Sequence, residues 1–138
     1  MTSQYTICYF SKAKEDLPIH HVKEICEKAT ELNNKIGISG FIFNSLDNFF
    51  QVLEGEKEKV LDLYENHIKN DPRHHKIFEI VHRDSQTPLF AQYSSRFQTL
   101  QNSEQLNSLK SYLKKHSVDV KTSDKISNML KSFVILDY

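Results

Sequence analysis

"NFFQVLEG", residues 48–55, sets an amide, Gln51, among Phe49, Phe50, Val52 and Leu53, and closes on an acid and a glycine. Aromatic and β-branched residues packed into so short a block predict a strand. Its apolar residues fall on both faces, so the strand is expected inside a sheet covered on both sides. The glutamine needs a reason, because a buried amide left without partners costs about 1–3 kcal/mol.

The flanking segments give the strand its neighbours. Before it lies "GISGFIF" (37–43), joined through "NSLDN", a short polar connection that predicts a hairpin. Further upstream "YTICYFS" (5–11) reads as a first strand, which "KAKEDLP" breaks. From Pro18 onward Ile19, Val22, Ile25, Cys26, Ala29 and Leu32 recur at helical steps, with Lys23, Glu24, Glu27, Lys28 and Glu31 on the opposite side. Downstream, a second amphipathic helix is expected from about Glu56 to Lys69, stopped by "NDP" at 70–72. "KIFEIVHR" (76–83) alternates as a fourth strand, and "AQYSSRF" (91–97) is a weaker fifth. Two helical stripes follow, over 103–116 and 122–136.

The order βαββαββ predicts an α+β, ferredoxin-like sandwich with two helices on one sheet face and the C-terminal helices on the other. Residues 1–98 are expected to form the main domain and 99–138 a helical extension packing on the sheet. With 138 residues the chain has one domain's worth of core. Eighteen basic residues balance eighteen acidic ones, which gives no reason to expect nucleic acid as a partner. No apolar run approaches a membrane span and no signal-peptide pattern opens the chain, so a cytoplasmic location away from the membrane is expected. Cys8 and Cys26 stand at no metal or redox spacing and read as small buried hydrophobes.

Alternation along the strands sets Gln51 on the face of Phe49 and Leu53, and Tyr9 on the face of Tyr5 and Ile7. On the first helix the stripe Val22, Cys26, Ala29, Asn33 ends in an amide. If that stripe packs on the sheet, the Tyr9 phenol and the amides of Asn33 and Gln51 converge in an apolar setting. Each alone is most simply satisfied by its protein neighbours. Together they suit the edge of a flat heteroaromatic ligand carrying both donors and acceptors.

Tyr9 with Ser11, "NNKIGISG" (33–40), "FFQVLEG" (49–55) and "DPRHH" (71–75), in this order and spacing, resemble the BLUF family of flavin-binding blue-light sensors, over roughly residues 4–97. The resemblance implies a flavin between the two helices, FAD with FMN or riboflavin as alternatives. It implies Tyr9 as the photoactive tyrosine, Gln51 as the switching glutamine and Asn33 as the amide on the flavin edge. Asp71, Arg73 and His74 match the family's flavin-bordering segment after the second helix. Tyr93 and Ser95 take the strand-five positions where the family often has Trp and Met, and so are the expected relay of the signal. The family's stand-alone members imply a homo-oligomer acting on a separate, unidentified partner protein, with no output domain in the chain and no enzymatic activity of its own.

Two rival readings are weaker. An acylphosphatase-type hydrolase needs an arginine in an anion-binding loop after the first strand, and "SKAKEDLP" supplies only lysines. A chromophore-free interaction module would need none of Tyr9, Asn33 and Gln51. His20, His21, His75 and His116 read as solvated surface, and His67 and His82 as partly buried.

Overall fold

The computed structural model describes residues 3–85, 88–90, 93, 96–116, 120–131 and 133. Four strands and two helices alternate as expected: β1 (Gln4–Ala13), α1 (Ile19–Ile36), β2 (Ser39–Ser45), β3 (Asn48–Glu56), α2 (Lys57–Asp62) and β4 (His74–Ser85). A short β5 (Phe97–Thr99) and the helices α3 (Ser103–Lys115) and α4 (Val120–Leu130) complete the described elements. Pro18 stands one residue outside α1, in extended conformation at its N-cap. The second helix does not run uniformly to Lys69: after Asp62 it widens into a π-helical turn, Leu63–Ile68, closed by the Lys69 N–H on the Tyr64 carbonyl at 3.0 Å.

The sheet order is β4-β1-β3-β2-β5, antiparallel except for β5, which runs parallel to β2. Among the described residues the fifth strand is Phe97–Thr99, which shares Phe97 with the expected 91–97; residues 91, 92, 94 and 95 of that span lie outside the described residues. Pairing fixes its place, since Gly40 N–H bonds Arg96 O and Leu100 N–H bonds Ile42 O. Gln98 and Thr99 hide that strand from a reading by hydrophobic alternation. The last helix ends at Leu130, and residues 132 and 134–136 of the expected span lie outside the described residues.

β3 divides its side chains between two cores. Phe50 and Val52 pack with Phe41, Phe43, Leu106, Leu109, Leu113, Ile126 and Leu130 on the face that α3 and α4 cover. Phe49 and Leu53 pack with Tyr5, Ile7, Val22, Cys26, Val60 and Tyr64 on the face of α1 and α2. Each fully buried Leu, Ile or Phe contributes about 1.5–3 kcal/mol, so covering the second face is a large part of what α3 and α4 do.

Two glycines shape the approach to the site. Gly37 adopts φ 80° and ends α1, where its missing Cβ removes the left-handed penalty. Gly40 has φ 131°, and a Cβ there would stand 2.0 Å from the Val52 carbonyl oxygen. Only glycine lets β2 pass β3 at this point.

Candidate functional site

Tyr9, Gln51 and Ile42 form one row across the sheet: β1 pairs Tyr9 with Gln51, and β2 pairs Ile42 with Gln51. A register shift between Cys8 and Tyr9 in the β1–β4 ladder marks a bulge beside the phenol. Over this row α1 brings Asn33. Tyr9, Asn33 and Gln51 are at most 3 % exposed, so what they bond to is decided inside the protein.

The Gln51 amide lies between the other two. Its Nε2 donates to the Tyr9 hydroxyl at 2.5 Å, and its Oε1 accepts from Asn33 Nδ2 at 3.5 Å. That second contact is long, and among the described residues the Asn33 side-chain amide makes no other hydrogen bond. Its remaining capacity faces a cavity of about 200 Å³ between the helices, lined by Ile25, Ala29, Leu32, Leu63, Ile68 and Phe49 as well as the three polar groups. Apolar walls with an under-used amide at the inner end fit a flat heterocycle whose edge carries donors and acceptors together.

Burial pushes the Tyr9 phenol well above its ordinary pKa, and the Gln51 hydrogen bond offsets only part of that. The phenol is therefore neutral and holds its proton at any ordinary pH. Either end of the Gln51 amide meets a group that can both donate and accept. Turning the amide through half a revolution exchanges donor for acceptor, and the Tyr9 hydroxyl then donates to Oε1.

The segment after the π-helical turn closes the cavity's other side. Asp71 and Arg73 form a bidentate pair, Arg73 Nε and Nη2 donating to the carboxylate at 2.6–3.1 Å. The guanidinium holds the Asp71 carboxyl below its usual range. His74 Nε2 meets the Ile68 carbonyl at 2.6 Å and Nδ1 meets Ser11 Oγ at 2.7 Å. A carbonyl only accepts, so Nε2 carries a proton and donates it to Ile68. Asp71, Arg73 and His74 all line the cavity.

Tyr93 is elsewhere. It packs against the core of the α3 and α4 face, with its ring 5.6 Å from Phe90 and 4.9 Å from Tyr112. Its hydroxyl donates to Gln98 Oε1 at 2.5 Å. It therefore lies across the sheet from Gln51, and Ser95 lies outside the described residues. Of the histidines, His20, His21 and His75 are exposed, while His116 is half-buried against Tyr112. His67 is exposed at the cavity rim.

Three further residues were not among the expected site residues. Tyr64, fully buried, lies with its ring 5.5 Å from that of Tyr9 and donates to the Glu79 carboxylate at 2.6 Å. Glu54 is buried on the opposite face, where it accepts from Thr6 Oγ1 at 2.8 Å and from the Phe90 N–H at 2.9 Å. Asn34 brackets β5 with its side-chain amide. The strand alternation flags Glu54 as an acid among apolar residues, whereas for the other two no sequence pattern distinguishes them from ordinary helix residues. Among the described residues no cluster of three or more His, Cys, Asp or Glu could hold a metal ion, and no helix is long and apolar enough to cross a membrane.

A family model described as BLUF, sensors of blue-light using FAD, matches residues 4–96. The chain is 33% identical over 76 residues to the blue light- and temperature-regulated antirepressor BluF of Escherichia coli (strain K12), covering 55% of this chain and 19% of that protein. It is 38% identical over 77 residues to the photoactivated adenylate cyclase subunit beta of Euglena gracilis, covering 54% and 9%. The match thus spans about a fifth or less of the length of these curated relatives. Among solved structures, the BlrP1 BLUF domain shares the fold with a TM-score of 0.73 at 24% identity, over 97% of this chain and 91% of that one. Klebsiella pneumoniae BlrP1 with FMN and cyclic diGMP, without metal ions, superposes with a TM-score of 0.67 at 26% identity, over 94% of this chain and 34% of that one.

Proposed function

Since the chain belongs to the BLUF family, the sensors of blue light using FAD, we propose that Tyr9, Gln51 and Asn33 form its photoswitch. The observation that carries this reading is the buried Gln51 amide held between the Tyr9 hydroxyl and the Asn33 amide at the wall of an apolar slot. Asn33 and Gln51 would hold the polar edge of the flavin, with Asp71, Arg73 and His74 bordering it. Bound there, the flavin supplies blue-light absorption and an excited state that draws an electron.

Tyr9 is the donor within the slot. Its burial makes loss of the electron unfavourable unless the proton leaves as well; the electron would pass to the flavin, and the Gln51 amide, once turned so that Oε1 meets the Tyr9 hydroxyl, would relay the proton the same way without keeping it. When electron and proton return, the amide can settle in its turned orientation, with the Tyr9 hydroxyl now donating to Oε1. The outcome is a second hydrogen-bond arrangement with no net chemistry, a population shift in a two-state element. The rearranged network then acts on a partner protein, in a homo-oligomer, in the cytoplasm. The role is sensory and not enzymatic.

FAD is the expected chromophore, and FMN and riboflavin present the same ring. The deciding experiment is the absorption spectrum of purified protein in the dark, under blue light and through dark recovery. A flavin spectrum that moves slightly to the red and returns supports the reading. Protein that stays colourless after incubation with excess FAD, or flavin bound without a shift, refutes it.

A further inference from the structure

Asn33 and Asn34 are consecutive, yet they serve different neighbours. Asn33 contacts Gln51. Asn34 turns its amide to the edge of β5, where Nδ2 donates to the Phe97 carbonyl at 3.0 Å and Oδ1 accepts from the Phe97 N–H at 2.8 Å. A side-chain amide there does what another strand would do, pairing both backbone groups of one residue. The opposite edge of β5 is taken by β2.

Asn34 is the end of a ladder. One and two turns back along α1, Thr30 and Cys26 reach the same strand: Thr99 Oγ1 donates to the Cys26 carbonyl at 3.1 Å, and the Thr30 hydroxyl meets Thr99 Oγ1 at 2.6 Å. With the Thr99 proton committed to Cys26, Thr30 is the donor in that pair. β5 continues through buried Leu100 into Asn102, whose side chain caps α3 by accepting from the Gln105 N–H at 2.9 Å.

We propose that Asn34 is a positioning residue of the switch, coupling the Asn33–Gln51 contact to β5 and through it to α3. The inference rests on the proposed function above. Its physical basis is the fixed backbone of the last α1 turn. The Asn33 carbonyl accepts from Ile38 N–H at 2.8 Å and the Asn34 carbonyl from Gly37 N–H at 3.4 Å, so the two residues move together. When the Gln51 amide turns, its Nε2 faces Asn33 Nδ2, donor against donor. Asn33 must turn or withdraw, and a withdrawing turn of helix carries the Asn34 amide and Phe97 with it. Tyr93 reaches β5 from the other face of the sheet, through Gln98.

The test is hydrogen exchange on the full chain, with Asn34→Ala and, as a control that removes a neighbouring bond of the same ladder, Thr30→Val. Without flavin, Asn34→Ala is expected to speed exchange of the Phe97 amide roughly tenfold, the factor matching one ordinary hydrogen bond. Loaded with FAD, Asn34→Ala is expected to keep the red shift but lose most of the light-minus-dark exchange difference over β5 and α3, which Thr30→Val keeps. An undiminished difference in Asn34→Ala, its equal loss in both variants, or its absence from a wild-type chain that does shift, overturns the coupling alone. A wild-type chain that binds FAD and does not shift overturns the proposed function, and the coupling with it.

Discussion

The rings of Tyr9 and Tyr64 lie 5.5 Å apart at 46° to one another, both buried, and their hydroxyls point to different partners. Tyr9 meets the Gln51 amide, and Tyr64 donates to Glu79. Only one of these neighbouring phenols is bonded to the proposed switch. Tyr9→Phe and Gln51→Ala are therefore expected to abolish the red-shifted state while sparing most flavin binding, and Tyr64→Phe to retain it. Difference spectra of the three variants decide the matter; a normal photocycle in Tyr9→Phe would remove the role assigned here.

Asn33→Ala removes an amide whose capacity is directed into the cavity. The expected effect is weaker binding, by one hydrogen bond of about 0.5–1.5 kcal/mol, or roughly two- to tenfold in Kd. Fluorescence titration of the apoprotein with riboflavin measures it. Equal affinity in both proteins would show that the amide does not touch the ring.

Gly40→Ala and Gly37→Ala separate two kinds of constraint. At Gly40 the new Cβ meets the Val52 carbonyl oxygen at 2.0 Å, whereas at Gly37 nothing lies within 4 Å and only the positive φ resists. Overpacking costs about 1–3 kcal/mol and the strained backbone adds to it. At Gly37 the left-handed penalty of about 1–2 kcal/mol stands alone. Denaturant unfolding should rank Gly40→Ala as the more damaging; the reverse order would contradict the close β2–β3 passage.

Glu54 gives stability a pH dependence of a definite sign. Burial raises its carboxyl pKa despite the bonds from Phe90 and Thr6, so the folded state holds the proton more tightly than the unfolded chain. The contribution is complete below the ordinary glutamate range and is lost as pH rises through the raised value. Asp71, held down by Arg73, acts with the opposite sign at acid pH. Unfolding free energies followed upward from pH 4 should show a fall that Glu54→Gln lacks, and an identical slope in the variant would exclude Glu54 as its source.

Much of this was legible because two periods decide it. Alternation in 48–55 sends Gln51 and Phe49 to one face and Phe50 and Val52 to the other, and the helical step carries Asn33 to the same apolar side as Cys26. The row Tyr9–Gln51–Ile42 needed the register as well: the hairpin between β2 and β3 fixes Ile42 against Gln51, whereas no local turn fixes Tyr9 against it. What escaped has no period. β5 is three residues long and is defined by backbone pairing and by the Asn34 amide, so neither its hydrophobicity nor its propensity marks it. The π-helical turn escaped because its apolar residues, Leu63, Tyr64 and Ile68, satisfy the ordinary α-helical step.

β3, like β1 and β2 beside it, serves both the pocket and the α3–α4 core, and it writes them in alternate letters. Phe49, Gln51 and Leu53 belong to one text; Phe50, Val52 and Glu54 to the other. One residue inserted into this strand would exchange the two messages at every position beyond it, aiming a phenylalanine at Tyr9 and driving the amide among the rings beneath α3 and α4. For this strand spacing is inherited as strictly as composition, and substitution is the only change it can absorb.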